Sequence, residues 1–254
     1  MKKHILSFSG GKDSTFLLLE LIRRKYPLDE VVFFDTGWEF PVMYEHIEKC
    51  KKICEENGIK FVTLHPEKTF DYLMFDHITK SGKKGYSWCG GNCRWGTTFK
   101  TQALDRYSQA NKGSIVYIGI AADEPERLVK ERAEFKRFPL AEWGITEAEC
   151  LKGCYDAGFD WGGMYEHLDR LSCKFCKNKN LKELQNIRKY YPEVWEELQD
   201  YQRRTDRPYK GEGQSVFDLE KRFAFEDERT AAGLSITSRE FHKELRERLR
   251  EVSE

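Results

Sequence analysis

Two groups of residues in this 254-residue sequence could do chemistry: a run of glycines and hydroxyls near the N-terminus, and four cysteines set in two pairs. The run is Ser9-Gly10-Gly11-Lys12-Asp13-Ser14. Glycines let a backbone approach an oxyanion with no Cβ in the way. Lys12 adds a positive charge, and Ser9 and Ser14 add hydroxyl donors. Asp13 would repel a phosphate unless Mg²⁺ stood between them or the carboxylate capped a helix. This is not the Walker loop, since the glycines come first and Asp13 follows Lys12. An ordinary glycine turn is the plain alternative. What favours an anion site is its place between a predicted strand and a predicted helix, where unpaired amides and the helix dipole converge.

The paired cysteines are Cys89-x-x-x-Cys93 and Cys173-x-x-Cys176. Four thiolates at such spacing suit Zn²⁺ or a [4Fe–4S] cluster, against the alternative of scattered buried thiols. Lys80 to Lys100 and Arg170 to Lys182 contain lysine and arginine but no acidic residue, which favours thiolates. Trp88, Trp95 and Phe175 could shield such a site. Tyr86, Trp88, Trp95 and Phe99 interleave with Lys83, Lys84, Arg94 and Lys100, a mixture suited to an anionic acceptor such as RNA or DNA. Balancing the charge of a thiolate site accounts for it equally well. Cys50 and Cys54, and Cys150 and Cys154, stand one helical turn apart, a spacing expected of core positions more than of ligands.

The elements that must position these residues read as strands at His4–Phe8, 31–34, 59–64 and 115–120, with helices at 15–22 and 41–57 between them. Strand and helix alternating at this spacing imply βαβ units and a parallel sheet in an α/β fold. Beyond residue 140 the pattern turns helical, with helices expected over Trp143–Ala157 and Leu181–Arg203. A polar linker is expected from Thr205 to Gln214, then one or two charged helices, one starting near Ser238. The expected domains are 1–140 (α/β), 141–204 (a helical segment completing the four-cysteine site) and 205–254 (charged helices). Arg203, Arg204, Arg207 and Lys210 read as a solvated face, because acidic residues are interspersed.

Composition bounds the partners. The chain carries 43 basic and 43 acidic side chains, so global charge does not announce nucleic acid or membrane. No apolar run approaches the roughly 20 residues that cross a bilayer. No export segment is read at the N-terminus, where the apolar run breaks at Ser9-Gly10-Gly11. A cytoplasmic, reducing location is expected, where metal ligation is favoured over disulfides.

Ser-Gly-Gly-x-Asp-Ser is similar to the PP-loop of the adenine nucleotide α-hydrolases. Asp35-Thr36-Gly37-x-Glu39-Phe40-Pro41 closely resembles the second motif of their 3′-phosphoadenylyl-sulfate (PAPS) reductase branch. The resemblance implies a doubly wound, twisted, Rossmann-like parallel sheet with a helical C-terminal lobe. It implies that Ser9, Gly10, Gly11, Lys12, Asp13 and Ser14 grip the β- and γ-phosphates of ATP, and that Asp35, Thr36 and Gly37 lie near the adenosine. Gly119 and Asp123 would stand at the carboxyl edge of the fourth strand. The reductases usually carry an arginine near Ala121, so the match there is partial.

The reductases attack sulfate with a C-terminal cysteine, and this sequence has none after Cys176. The wider family's reaction remains: adenylation of an acceptor by ATP, release of pyrophosphate stabilised by Lys12 and Mg²⁺, then displacement of AMP. With Asp13 and Lys12 as the catalytic pair and a four-cysteine cluster, the expected function is ATP-dependent sulfur transfer, similar to that of iron–sulfur tRNA thiolases, fed by a sulfur or electron donor protein. The alternatives are a sulfonucleotide reductase drawing on Cys154, and a nucleotide-binding module with structural Zn²⁺. A homodimer is left open.

Overall fold

The computed structural model describes residues 2–89, 93–131 and 133–250. The chain divides into two compact units, Met1–Phe70 with Arg94–Lys174, and Asp71–Cys93 with Phe175–Glu254. This differs from the boundaries expected at 140 and 204. The chain leaves the first unit after Phe70 and re-enters it at Arg94, so a segment early in sequence belongs with the C-terminal helices.

The first unit is built on β1 (His4–Phe8), α1 (Lys12–Arg23), β2 (Glu30–Phe34), α2 (Pro41–Glu56), β3 (Lys60–Leu64), α3 (Lys100–Ala110), β4 (Ile115–Ile118), α4 (Pro125–Lys130), β5 (Lys136–Arg137), α5 (Pro139–Glu142) and α6 (Glu147–Asp156). The five strands are parallel and ordered β3-β2-β1-β4-β5. The unbroken apolar run of β2 is buried at every position, as a strand covered on both faces requires. The chain steps outward from β1 through β2 to β3, then returns to place β4 on the other side of β1. That reversal opens a crevice beyond the carboxyl ends of β1 and β4, the place where open α/β sheets bind ligands.

Helix α1 buries Leu17, Leu18 and Leu21 completely, each worth about 1.5–3 kcal/mol. Helix α6 packs on α1 through Gly153, where a Cβ would lie 2.1 Å from the Phe16 ring. The helix expected from Trp143 begins instead at Glu147. Gly144 (φ 72°) ends the preceding turn, and Thr146 caps the new helix in a reciprocal box with Glu149.

The second unit contains α7 (Leu181–Tyr190), α8 (Pro192–Arg203), α9 (Val216–Ala231) and α10 (Arg239–Arg250). The single helix expected over 181–203 is two, because Pro192 has no amide to continue α7 and forces Tyr191 out of helical geometry. Helices α9 and α10 close a small core of Phe225, Phe241 and Leu245, with Leu249 packed against it. Ser238 Oγ accepts the Phe241 amide at 3.0 Å at the start of α10.

Candidate nucleotide-binding site

The loop Ser9–Ser14 occupies the crevice, joining the carboxyl end of β1 to α1. Gly10 adopts φ 76°, and a Cβ there would meet Met43 Cε at 2.9 Å. Ser14 is buried and ties the loop together: its Oγ accepts the Ser9 amide at 3.2 Å, lies 3.1 Å from Ser9 Oγ, and donates to the Gly11 carbonyl at 3.1 Å. Gly119, just past β4, must lack a side chain, since a Cβ would stand 2.9 Å from the Ser14 amide nitrogen. The fourth strand therefore presses directly on the loop.

Lys12 Nζ lies 3.3 Å from Asp13 and 3.2 Å from Glu147 Oε2. Burial opposes the Lys12 charge, but the two carboxylates outweigh it and its pKa is raised. Burial also raises the pKa of Asp13, against the pull of Lys12. Asp13 Oδ1 is buried and accepts no hydrogen bond, with the charged Lys12 Nζ 3.3 Å away. An anionic polyphosphate entering beside Asp13 and Glu147 needs a cation between the charges, and a buried carboxylate oxygen that accepts no hydrogen bond fits Mg²⁺. Glu147 escaped the sequence reading because it reaches the loop only through the packing of α6 on α1.

Beyond β2, the Asp35–Gly37 segment is fixed by its own polar groups. Asp35 Oδ1 accepts the Gly37 amide at 2.8 Å and the Tyr44 hydroxyl at 3.0 Å. Thr36 Oγ1 donates to Glu39 at 2.7 Å and accepts the Trp38 amide at 3.1 Å. The two motifs thus end adjacent strands, with Phe8 registered against Phe33. Asp123 Oδ1 accepts the Glu147 amide at 3.1 Å, at the start of α6.

Two features of the site carried no motif. His46 is buried on α2, with Nε2 2.9 Å from Thr15 Oγ1 and 3.6 Å from Cys50 Sγ. Burial lowers its pKa to about 4, so it is neutral. A short 3₁₀ segment, Trp161–Glu166, touches the loop from above: Trp161 Nε1 donates to the Gly10 carbonyl at 2.9 Å, and the Tyr165 hydroxyl accepts the Lys12 amide at 2.9 Å. The visible signal was the cluster Trp161-Gly162-Gly163-x-Tyr165.

Cys50, Cys54, Cys150 and Cys154 are all fully buried, as core spacing implies. Cys154 Sγ donates to the Lys12 carbonyl at 3.4 Å, and burial pushes its thiol up to about 12. A protonated, enclosed thiol is a poor nucleophile.

Of the other four, Cys89, Cys93 and Cys176 belong to the second unit and Cys173 to the first. Within the second unit, Lys177 Nζ donates to the Cys89 carbonyl at 2.7 Å and Tyr209 to that of Cys176 at 2.6 Å. Trp88, Trp95 and Phe175 are buried in their respective units. Among the described residues no group of three or more Cys, His, Asp or Glu is gathered in metal-holding geometry. The donor chemistry of four thiols among cations does fit a thiophilic metal or cluster. Arg203, Arg204 and Arg207 are engaged within their own unit: Arg204 lies 3.6 Å over Phe75, Arg207 donates to the Trp88 carbonyl at 2.9 Å, and Arg203 pairs with Asp200 at 3.7 Å.

Residues 3–147, more than half of the chain, match the model of the phosphoadenosine phosphosulfate reductase domain. The chain belongs to this family. It is a PP-loop protein of the PAPS-reductase-like branch. The chain is 25% identical over 232 residues to an uncharacterized protein of Methanocaldococcus jannaschii, covering 84% of this chain and 44% of that one. It is 30% identical over 120 residues to the cytoplasmic tRNA 2-thiolation protein 1 of Dictyostelium discoideum, covering 46% and 32%. The chain spans less than half the length of the first curated relatives it matches, 44% and 47%. Among solved structures, an NH3-dependent NAD synthetase from Campylobacter jejuni is similar at 13% identity and TM-score 0.38, covering 75% of this chain and 76% of that one, a likeness too distant to carry an argument. No helix among the described residues is long and apolar enough to cross a membrane.

Proposed function

We propose that this PP-loop protein binds ATP, adenylates an acceptor with release of pyrophosphate, and transfers sulfur to the activated position. The observation that carries the first half is the loop itself: a glycine turn at the sheet's switch point, pressed by Gly119, with Lys12 beside a buried Asp13 oxygen that accepts no hydrogen bond. Ser9, Ser14 and the loop amides other than that of Lys12, which donates to Tyr165, hold the β- and γ-phosphates. Lys12, held charged by Asp13 and Glu147, stabilises charge developing on the departing pyrophosphate. Asp13 and Glu147 would hold Mg²⁺, which would supply further neutralisation of the phosphate charge. Asp35, Thr36 and Gly37, on the neighbouring strand end, receive the adenosine.

Sulfur transfer rests on the four thiols Cys89, Cys93, Cys173 and Cys176, taken together as the ligands of a [4Fe–4S] cluster or Zn²⁺, and on the similarity to a tRNA 2-thiolation protein. A nucleic acid is the acceptor class this similarity favours, with a separate protein as sulfur or electron donor. The complete burial of Cys154 speaks against its use as the attacking thiol of a sulfonucleotide reductase. To test the reading, the anaerobically purified protein is incubated with α-labelled ATP, sulfide and total tRNA. AMP formation that depends on tRNA supports it. Formation of ADP, or reduction of adenylyl sulfate to sulfite, contradicts it.

A further inference from the structure

After Asp160 the chain runs through three successive left-handed residues: Trp161 (φ 50°), Gly162 (φ 60°) and Gly163 (φ 78°). Glycine adopts this region freely, whereas Trp161 pays about 1–2 kcal/mol. Contacts with the loop hold it there. Its indole nitrogen donates to Gly10, and its ring lies 4.7 Å from His46, which is itself bonded to Thr15 of α1. The Tyr165 ring stands edge-on to Trp161 at 4.9 Å, and this places the hydroxyl 2.9 Å from the Lys12 amide. A Cβ on Gly11 would lie 3.4 Å from the same hydroxyl.

The Lys12 amide is among the first of α1, one of the donors a phosphate oxygen would use. Its hydrogen bond goes to Tyr165 instead. A hydroxyl that accepts one bond still has its proton to give, and among the described residues Tyr165 donates it to none. Burial raises the phenol's pKa, so the proton stays on it. An amide that polarises a hydroxyl strengthens the bond the hydroxyl makes onward.

We propose that Tyr165 is a phosphate ligand of the loop, relaying the Lys12 amide through its hydroxyl to an oxygen of the bound pyrophosphate moiety, with Trp161 as the positioning residue that fixes the Gly10 carbonyl. This deepens the reading of Ser9–Ser14 as an ATP site and rests on it.

The test is calorimetric titration of inorganic pyrophosphate and of Mg·ATP into the wild-type chain and into Tyr165→Phe, Trp161→Phe and Lys12→Ala, with circular dichroism to establish folding. A hydrogen bond to a charged group implies that Tyr165→Phe weakens both ligands roughly tenfold or more. Trp161→Phe, which keeps an aromatic ring but loses the indole N–H, weakens both to a smaller degree. Folded Tyr165→Phe protein that binds pyrophosphate as tightly as wild type, or more tightly, overturns the relay. Should that variant not fold, 3-fluorotyrosine placed at 165 provides the readout. Its ¹⁹F resonance shifts on adding pyrophosphate if the hydroxyl is a ligand, and an unmoved resonance at saturation overturns it. If wild type binds neither ligand, the underlying ATP-site reading fails. If wild type binds, Lys12→Ala weakens binding and Tyr165→Phe does not, only the relay fails.

Discussion

Lys12, Asp13 and Glu147 form a charge cluster whose balance changes when a polyphosphate enters. Lys12 already has two carboxylate partners, so phosphate binding depends on a cation to offset Asp13 and Glu147. Asp13→Asn is expected to cut the Mg²⁺-dependent gain in ATP affinity by roughly tenfold, read by titration with and without Mg²⁺. His46 supplies a pH dependence of folding. Its folded pKa near 4 lies below the unfolded value of about 6.5, so below that unfolded value the unfolded chain binds more protons. The contribution of neutral His46 is therefore complete above pH ~6.5 and is lost as pH falls toward 4, a change on the order of 3 kcal/mol. Urea melts across that range are expected to show the loss, and His46→Gln to flatten it. The loop residues were legible in the sequence because Ser-Gly-Gly-Lys-Asp-Ser carries its chemistry locally. Glu147, His46, Trp161 and Tyr165 were not, since each reaches the loop through tertiary packing.

The elements that frame the site were readable where one local signal dominated. The apolar runs of β1 and β2 and the periodicity of α1 and α2 marked them, and parallel pairing followed from their alternation. Misreadings came where a single residue overrode periodicity, as Pro192 does between α7 and α8 and Gly144 before α6. Gly119 shows how tightly the elements meet. Gly119→Ala would put a methyl 2.9 Å from the Ser14 amide nitrogen, a backbone atom that cannot step aside. This is expected to cost about 1–3 kcal/mol in thermal or urea unfolding and to weaken ATP binding more than tenfold. Gly153→Ala meets Phe16 at 2.1 Å and is expected to destabilise the α1–α6 contact, with Phe16→Ala restoring part of the loss in a double-mutant cycle.

For the whole molecule, the division into two units was hidden from local reading, because residues 71–93 join the C-terminal helices only through folding. The four paired cysteines are distributed across that division, three in one unit and Cys173 in the other. If they share a cluster, anaerobically purified protein is expected to show a broad band near ~400 nm with about four irons, and Cys176→Ser to lose both. One zinc and no colour would make the thiols structural and leave adenylation without its sulfur chemistry.

The loop decides the rest, and the most direct measurement is titration of Mg·ATP into wild type and Lys12→Ala. One site per chain, with affinity at least tenfold weaker in the variant, is the expected result. Absence of binding, or binding indifferent to Lys12, would contradict the assignment of Ser9–Ser14 as the phosphate site.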